Sequence, residues 1–150
     1  MTAHAYTRAV LRPNPPRLIT VVIALALVLV GLSATVLPLD FVNEALALVQ
    51  GSIGTDLAVT IEVGWLFLLA GNALLIAGSL LPGIRPMGRM NFAPRMPTII
   101  VALALVVVGM LGTFGDLLPS VAGLESATIG VWAFVAATVV LIAGIVFEGI

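Results

Sequence analysis

Residues 16–28 read PRLITVVIALALV, and residues 94–106 read PRMPTIIVALALV. Each opens on Pro-Arg and runs into an uncharged apolar segment. The two align at an offset of 78 residues, and the match continues from Gly31 to Gly109 and from Thr35 to Thr113. Each begins an apolar run, 18–37 in one case and 97–114 in the other. Two further runs follow, 60–81 and 127–147. All four are close to the roughly 20 residues that cross a hydrocarbon core as a helix. None alternates polar and apolar residues, which disfavours a β-barrel. The abundant Val and Ile do not argue for strands, because in lipid every backbone group must bond within its own segment.

The second and fourth runs are also related. Leu75-Ile76-Ala77-Gly78 matches Leu141-Ile142-Ala143-Gly144, and Gly83-Ile84 matches Gly149-Ile150, at an offset of 66. Self-similarity at fixed offset marks a repeated structural unit. The expected fold is an all-α membrane protein whose four transmembrane helices form two tandem helical hairpins, a parallel repeat. The layout is an arm (1–17), a first hairpin (18–84, outer loop 38–59), a linker (85–96) and a second hairpin (97–150). The first run exceeds the roughly 7–15 apolar residues of a secretory signal, so it is expected to be a retained helix.

Composition agrees. The chain is 61% hydrophobic and 9% charged, against roughly 25% charged for soluble domains. It has no Cys, which excludes disulfides, thiolate metal sites and iron–sulfur ligation. The single His, His4, lies in the arm, so no span offers a histidine ligand to a haem or a chlorophyll-type pigment. A net charge of −1 gives nucleic-acid binding no basis. All six basic residues are Arg, which with the wealth of Ala, Val, Leu and Gly points to a GC-rich prokaryotic source.

The charges sort by loop. Arg8, Arg12 and Arg17 precede the first span, and Arg85, Arg89 and Arg95 lie between the second and third. Asp40, Glu44, Asp56, Glu62, Asp116 and Glu125 fall on or near the opposite side, and only Glu148 departs from the pattern. The positive-inside rule puts both termini and the middle loop in the cytoplasm, which with the composition gives a multi-pass prokaryotic plasma-membrane protein as the expectation. The Arg clusters read as topogenic, with lipid headgroup contact as a compatible second role.

Small residues recur at intervals of seven. They are Gly64, Gly71 and Gly78 in the second span, matched by Gly130, Ala137 and Gly144 in the fourth. Ala24 and Gly31 in the first are matched by Ala102 and Gly109 in the third. A seven-residue period keeps one seam facing a partner helix. Small residues there let backbones approach where lipid supplies no hydrophobic drive. Each hairpin is therefore expected to be a tight antiparallel pair.

In the outer loop 38–59, Phe41, Val42, Ala45, Leu46, Leu48 and Val49 follow helical periodicity. Asp40 suits an N-cap, and Gly51 or Gly54 could end the segment. A short interfacial helix is expected. The second outer loop is expected to carry one turn after Pro119-Ser120, and the arm, with Pro13, Pro15 and Pro16, to be extended.

Chemistry in a membrane leaves polar side chains within the spans. Asn72 is the one strongly polar side chain near mid-span, and the repeat places Thr138 at its equivalent position. Its plain role is an interhelical hydrogen bond. Glu62 is the one acid within a span, near the outer helix N-terminus, where a carboxylate is favoured. Trp65 and Trp132 fall near outer ends, as interfacial anchors do. No catalytic, metal or cofactor set is apparent; bound lipid, quinone or carotenoid is left open at the surface. These features point to a non-enzymatic accessory subunit of a larger membrane complex, of the respiratory or photosynthetic electron-transport class, with other membrane subunits and lipids as partners. A small oligomeric transporter or channel is the alternative.

Overall fold

The computed structural model describes residues 13–54, 59–81 and 93–147. His4, Arg8, Arg12, Asp56, Arg85, Arg89 and Glu148 lie outside them, as do most of the arm and linker and the Gly83-Ile84 and Gly149-Ile150 match. Five helices and no strand occur among the described residues: α1 (Leu18–Thr35), α2 (Asp40–Ile53), α3 (Ile61–Leu80), α4 (Met96–Thr113) and α5 (Ser126–Val146). All but α2 are long and apolar enough to cross a membrane.

The helix ends have local causes. The apolar run 18–37 outlasts α1, which stops at Thr35. Pro38 disfavours helical geometry at Leu37 and cannot donate back to the previous turn. Asp40 is not the cap of α2 but its first residue; Leu39 is the N-cap, without a side-chain cap bond of its own. The Leu39 N–H donates to Oγ of Ser33 in α1 at 3.0 Å, which ties the entry of α2 to α1. Of the two candidate stops, Gly51 stays helical and Gly54 ends α2 in the left-handed conformation, φ 71°. Thr60 caps α3, its hydroxyl accepting from the Val63 N–H at 3.4 Å. After Pro119-Ser120 the chain makes a tight turn bridged between Val121 and Leu124.

The most extensive packing is α1 on α3 and α4 on α5, and α3 meets α5 across the middle. In the first pair Gly31 lies by Gly64, Ala24 by Gly71 and Pro16 by Gly78. One chain position rises as the other falls, so α1 and α3 are antiparallel. The same holds for Gly109 by Gly130 and Pro94 by Gly144. The centre is filled by Leu68 and Leu75 from α3 and by Phe134, Leu141 and Ile145 from α5, all fully buried. Large side chains such as Ile19, Val22, Ile100 and Val139 point outward and are exposed, as lipid-facing positions require.

Charge divides between the two ends of this bundle. Arg17 and Arg95 are the N-caps of α1 and α4. At the other end stand Asp40 and Glu62 in first helical turns and Glu125 as the N-cap of α5. Acids suit helix N-termini, whereas Arg there is mildly opposed by the helix dipole. The placement of the two arginines is therefore not explained by helix stability.

Candidate functional site

The polar centre of the bundle is Asn72, fully buried on α3, with Thr138, 5% exposed, facing it from α5. Asn72 Nδ2 donates to the carbonyl of Leu68 at 3.0 Å and to that of Phe134 at 3.2 Å. The one hydroxyl hydrogen of Thr138 is shared between Asn72 Oδ1 and the Phe134 carbonyl, each 3.1 Å from Oγ1. This set orients the amide, because only its NH2 can face two carbonyls and only its oxygen can accept from the hydroxyl. One side chain thus binds its own helix and the neighbouring one. Both amide hydrogens have acceptors inside the bundle.

The small residues line the two helix contacts. A Cβ on Gly64 would lie 2.7 Å from Thr35 Cγ2, and one on Gly31 2.6 Å from the Gly64 carbonyl oxygen. At Gly71 it would meet Val28 Cγ2 at 2.6 Å and the Ala24 carbonyl oxygen at 2.8 Å. At Gly78 it would meet Thr20 Cγ2 at 2.9 Å. In the other pair, an added Cβ would lie 2.8 Å from the Phe134 ring at Gly109, 2.7 Å from the Gly109 carbonyl oxygen at Gly130, and 2.9 Å from Pro94 Cβ at Gly144. Ala24, Ala102 and Ala137 are fully buried. Thr35 and Thr113 return hydroxyl bonds to the carbonyls of Gly31 and Gly109, at 2.8 and 2.9 Å.

Sequence reasoning missed several participants. Gly112 is packed as tightly as any seam residue: a Cβ there would lie 2.6 Å from the Ser126 carbonyl oxygen. It falls three residues from Gly109, outside a strict seven-residue series. Pro16 and Pro94 are fully buried at the arginine end, and the shared Pro-Arg pairs could have flagged them. Ser33 and Ser126 fix the loops at the acidic end. Ser126 Oγ donates to the Gly112 carbonyl at 3.1 Å and accepts from the Leu118 N–H at 3.2 Å.

Glu62 and Glu125 border an open cleft of about 340 Å³ between α1, α3 and α5, together with Thr35, Trp65 and Thr128. Both carboxylates are exposed. The Trp65 ring meets Phe114 edge-to-face, with centroids 5.7 Å apart. Trp132 is exposed. Among the described residues no three His, Cys, Asp or Glu are grouped to hold a metal ion, and every buried side-chain polar atom has a hydrogen-bond partner. Arg17 is half-buried and Arg95 exposed at the arginine end. No family model, curated protein or solved structure matches the chain.

Proposed function

We propose that this multi-pass membrane protein is a non-catalytic accessory subunit of a larger membrane complex, of the electron-transport class, and that it stabilises its neighbours by helix packing and lipid contact. The observation that carries the reading is the Asn72–Thr138 set. The strongly polar side chain at mid-span, which in a carrier would face a substrate path, has its donors engaged by two helix carbonyls. Its chemistry holds helices together.

On the same reading the chain is a duplicated hairpin. Support comes from pairs of contacts at the sequence offsets: Gly78 with Pro16 and Thr20 against Gly144 with Pro94 and Thr98, and the threonine bonds of Thr35 and Thr113. The charge rule supports an orientation with both termini and the Arg-bearing ends cytoplasmic, and the Arg-only basic set with abundant Ala, Val, Leu and Gly supports a prokaryotic plasma membrane. Because the chain has no Cys, single cysteines at residues 89 and 44 test this directly. An impermeant maleimide should label residue 44, and not residue 89, in intact cells.

Purification at native abundance tests the main reading. Co-migration with large redox subunits supports it. A stable homo-oligomer that moves an ion or solute in liposomes would replace it with the transporter or channel reading.

A further inference from the structure

Each helix pair is built differently from the joint between the pairs. Within the α1–α3 pair, close approach runs from end to end, with Pro16 by Gly78, Ala24 by Gly71 and Gly31 by Gly64. The α4–α5 pair repeats this with Pro94 by Gly144 and Gly109 by Gly130. At Gly31, Gly71, Gly112 and Gly130 an added Cβ would strike backbone of the partner helix within 3 Å. Backbone cannot rotate aside, so each pair moves as one body. The atoms nearest to these positions all belong to the glycine's own pair.

Between the pairs the contact is side chain on side chain. Leu68 and Leu75 of α3 fill it with Phe134 and Leu141 of α5. Asn72 crosses it at mid-span, bonded to the Phe134 carbonyl and to Thr138. Apolar side chains packed in this way slide in small steps, the shear movement of packed helices.

On the flank between α1 and α5 the pairs stand apart at both ends. Toward the acidic end lies the cleft of about 340 Å³, walled by Thr35 and Glu62 of the first pair and by Glu125 and Thr128 of the second. Toward the arginine end lies a groove of about 400 Å³, walled by Leu25 of α1 and by Ile142, Ala143 and Val146 of α5, with Thr138 at its inner end. At 1.5 Å per residue, Glu62 stands ~15 Å from Asn72 along α3, and Val146 ~12 Å from Thr138 along α5. The two openings are nearly equal arms about one node.

We propose that the α1–α3 and α4–α5 pairs rock as rigid bodies on the Asn72–Thr138 node, so that the acidic-end cleft closes as the arginine-end groove opens, and the reverse. In the ratio of the arms, a narrowing of ~3 Å at the cleft widens the groove by ~2 Å. The movement belongs to the fold and is independent of the accessory-subunit reading.

Reversible clamps test it, because zinc bridges two imidazoles. Glu62→His with Thr128→His clamps the cleft, and Leu25→His with Ile142→His clamps the groove. The chain has no Cys, so spin labels on introduced cysteines report distances in bicelles without background. Leu37→Cys with Leu124→Cys reads the acidic end, and Leu18→Cys with Phe147→Cys the arginine end; all four positions are exposed. Zinc on the cleft clamp should lengthen the Leu18–Phe147 distance by ~2 Å, in the ratio of the arms. Zinc on the groove clamp should lengthen the Leu37–Leu124 distance, and a chelator should reverse both shifts. A clamp that binds zinc by calorimetry and leaves the remote distance unchanged overturns the pivot, as does a change of the same sign at both ends. Failure of both clamps to hold zinc also overturns it, since a closing cavity must bring its walls together.

Discussion

Gly112→Ala probes the close approach of α4 and α5. A Cβ at Gly112 would lie 2.6 Å from the Ser126 carbonyl oxygen, 2.7 Å from Gly130 Cα and 2.8 Å from Gly130 N. All three are backbone atoms, so no side-chain rotation makes room. The helices must part locally by roughly 0.8 Å to bring the nearest pair to 3.4 Å, and a gap of ~0.5–1 Å already forfeits a quarter to a half of the dispersion attraction across it. Overpacking of this kind costs about 1–3 kcal/mol. Alanine recovers roughly 0.5–1 kcal/mol of helix stability relative to glycine. The net expectation is a loss of about 1 kcal/mol, at the centre of a span of roughly 0–2.5 kcal/mol. Gly51→Ala in α2 is the matched control, because nothing lies within 4 Å of its Cβ position; it should gain roughly 0.5–1 kcal/mol. Reversible unfolding in bicelles measures both. If Gly112→Ala unfolds at or beyond the wild-type midpoint while Gly51→Ala behaves as expected, close backbone contact does not hold this pair together.

Gly71→Leu should lower the melting temperature in detergent more than Leu69→Ala does. The first forces a side chain against Val28 and the Ala24 carbonyl, whereas Leu69 is only half-buried. Asn72→Leu should cost about 0.6–2 kcal/mol, the range for hydrogen bonds between membrane helices. A double-mutant cycle with Thr138→Val should show the two residues coupled. Ala122 has φ 53° in the turn at the acidic end, so Ala122→Gly should stabilise by about 1 kcal/mol in the same unfolding assay.

The spans were legible because a bilayer imposes a length and a composition that few other environments require. Their ends were less so. Hydropathy continues through Val36 and Leu37, but Pro38 acts on backbone geometry, which a hydropathy count does not register. The cap of α2 was misread for a different reason. Asp40 is the better capping residue by type, yet Leu39 occupies the position, its N–H held by Ser33 six residues earlier. That partner is tertiary, and local sequence does not reveal it. Most of the small residues at helix contacts were legible as a period of seven. Gly112 escaped because close packing follows steps of three and four as well. Phe134 on Gly109 escaped because the aligned residue is Leu68, and size alone does not say which copy fills the space. Asn72 was recognisable as unusual from its surroundings, but its second helix and its carbonyl partner needed coordinates.

The meeting of Asn72 with Thr138 has a consequence for ancestry. On the proposed duplication these are the same position in two copies, and their hydroxyl-to-amide contact puts the local symmetry axis between them. In a dimer of identical hairpins that position would have faced itself, residue for residue. Fusion of two copies into one chain removes that restriction. Donor and acceptor can then be divided, an amide on one side and a hydroxyl on the other, a pairing open to a fused pseudodimer and closed to a symmetric one.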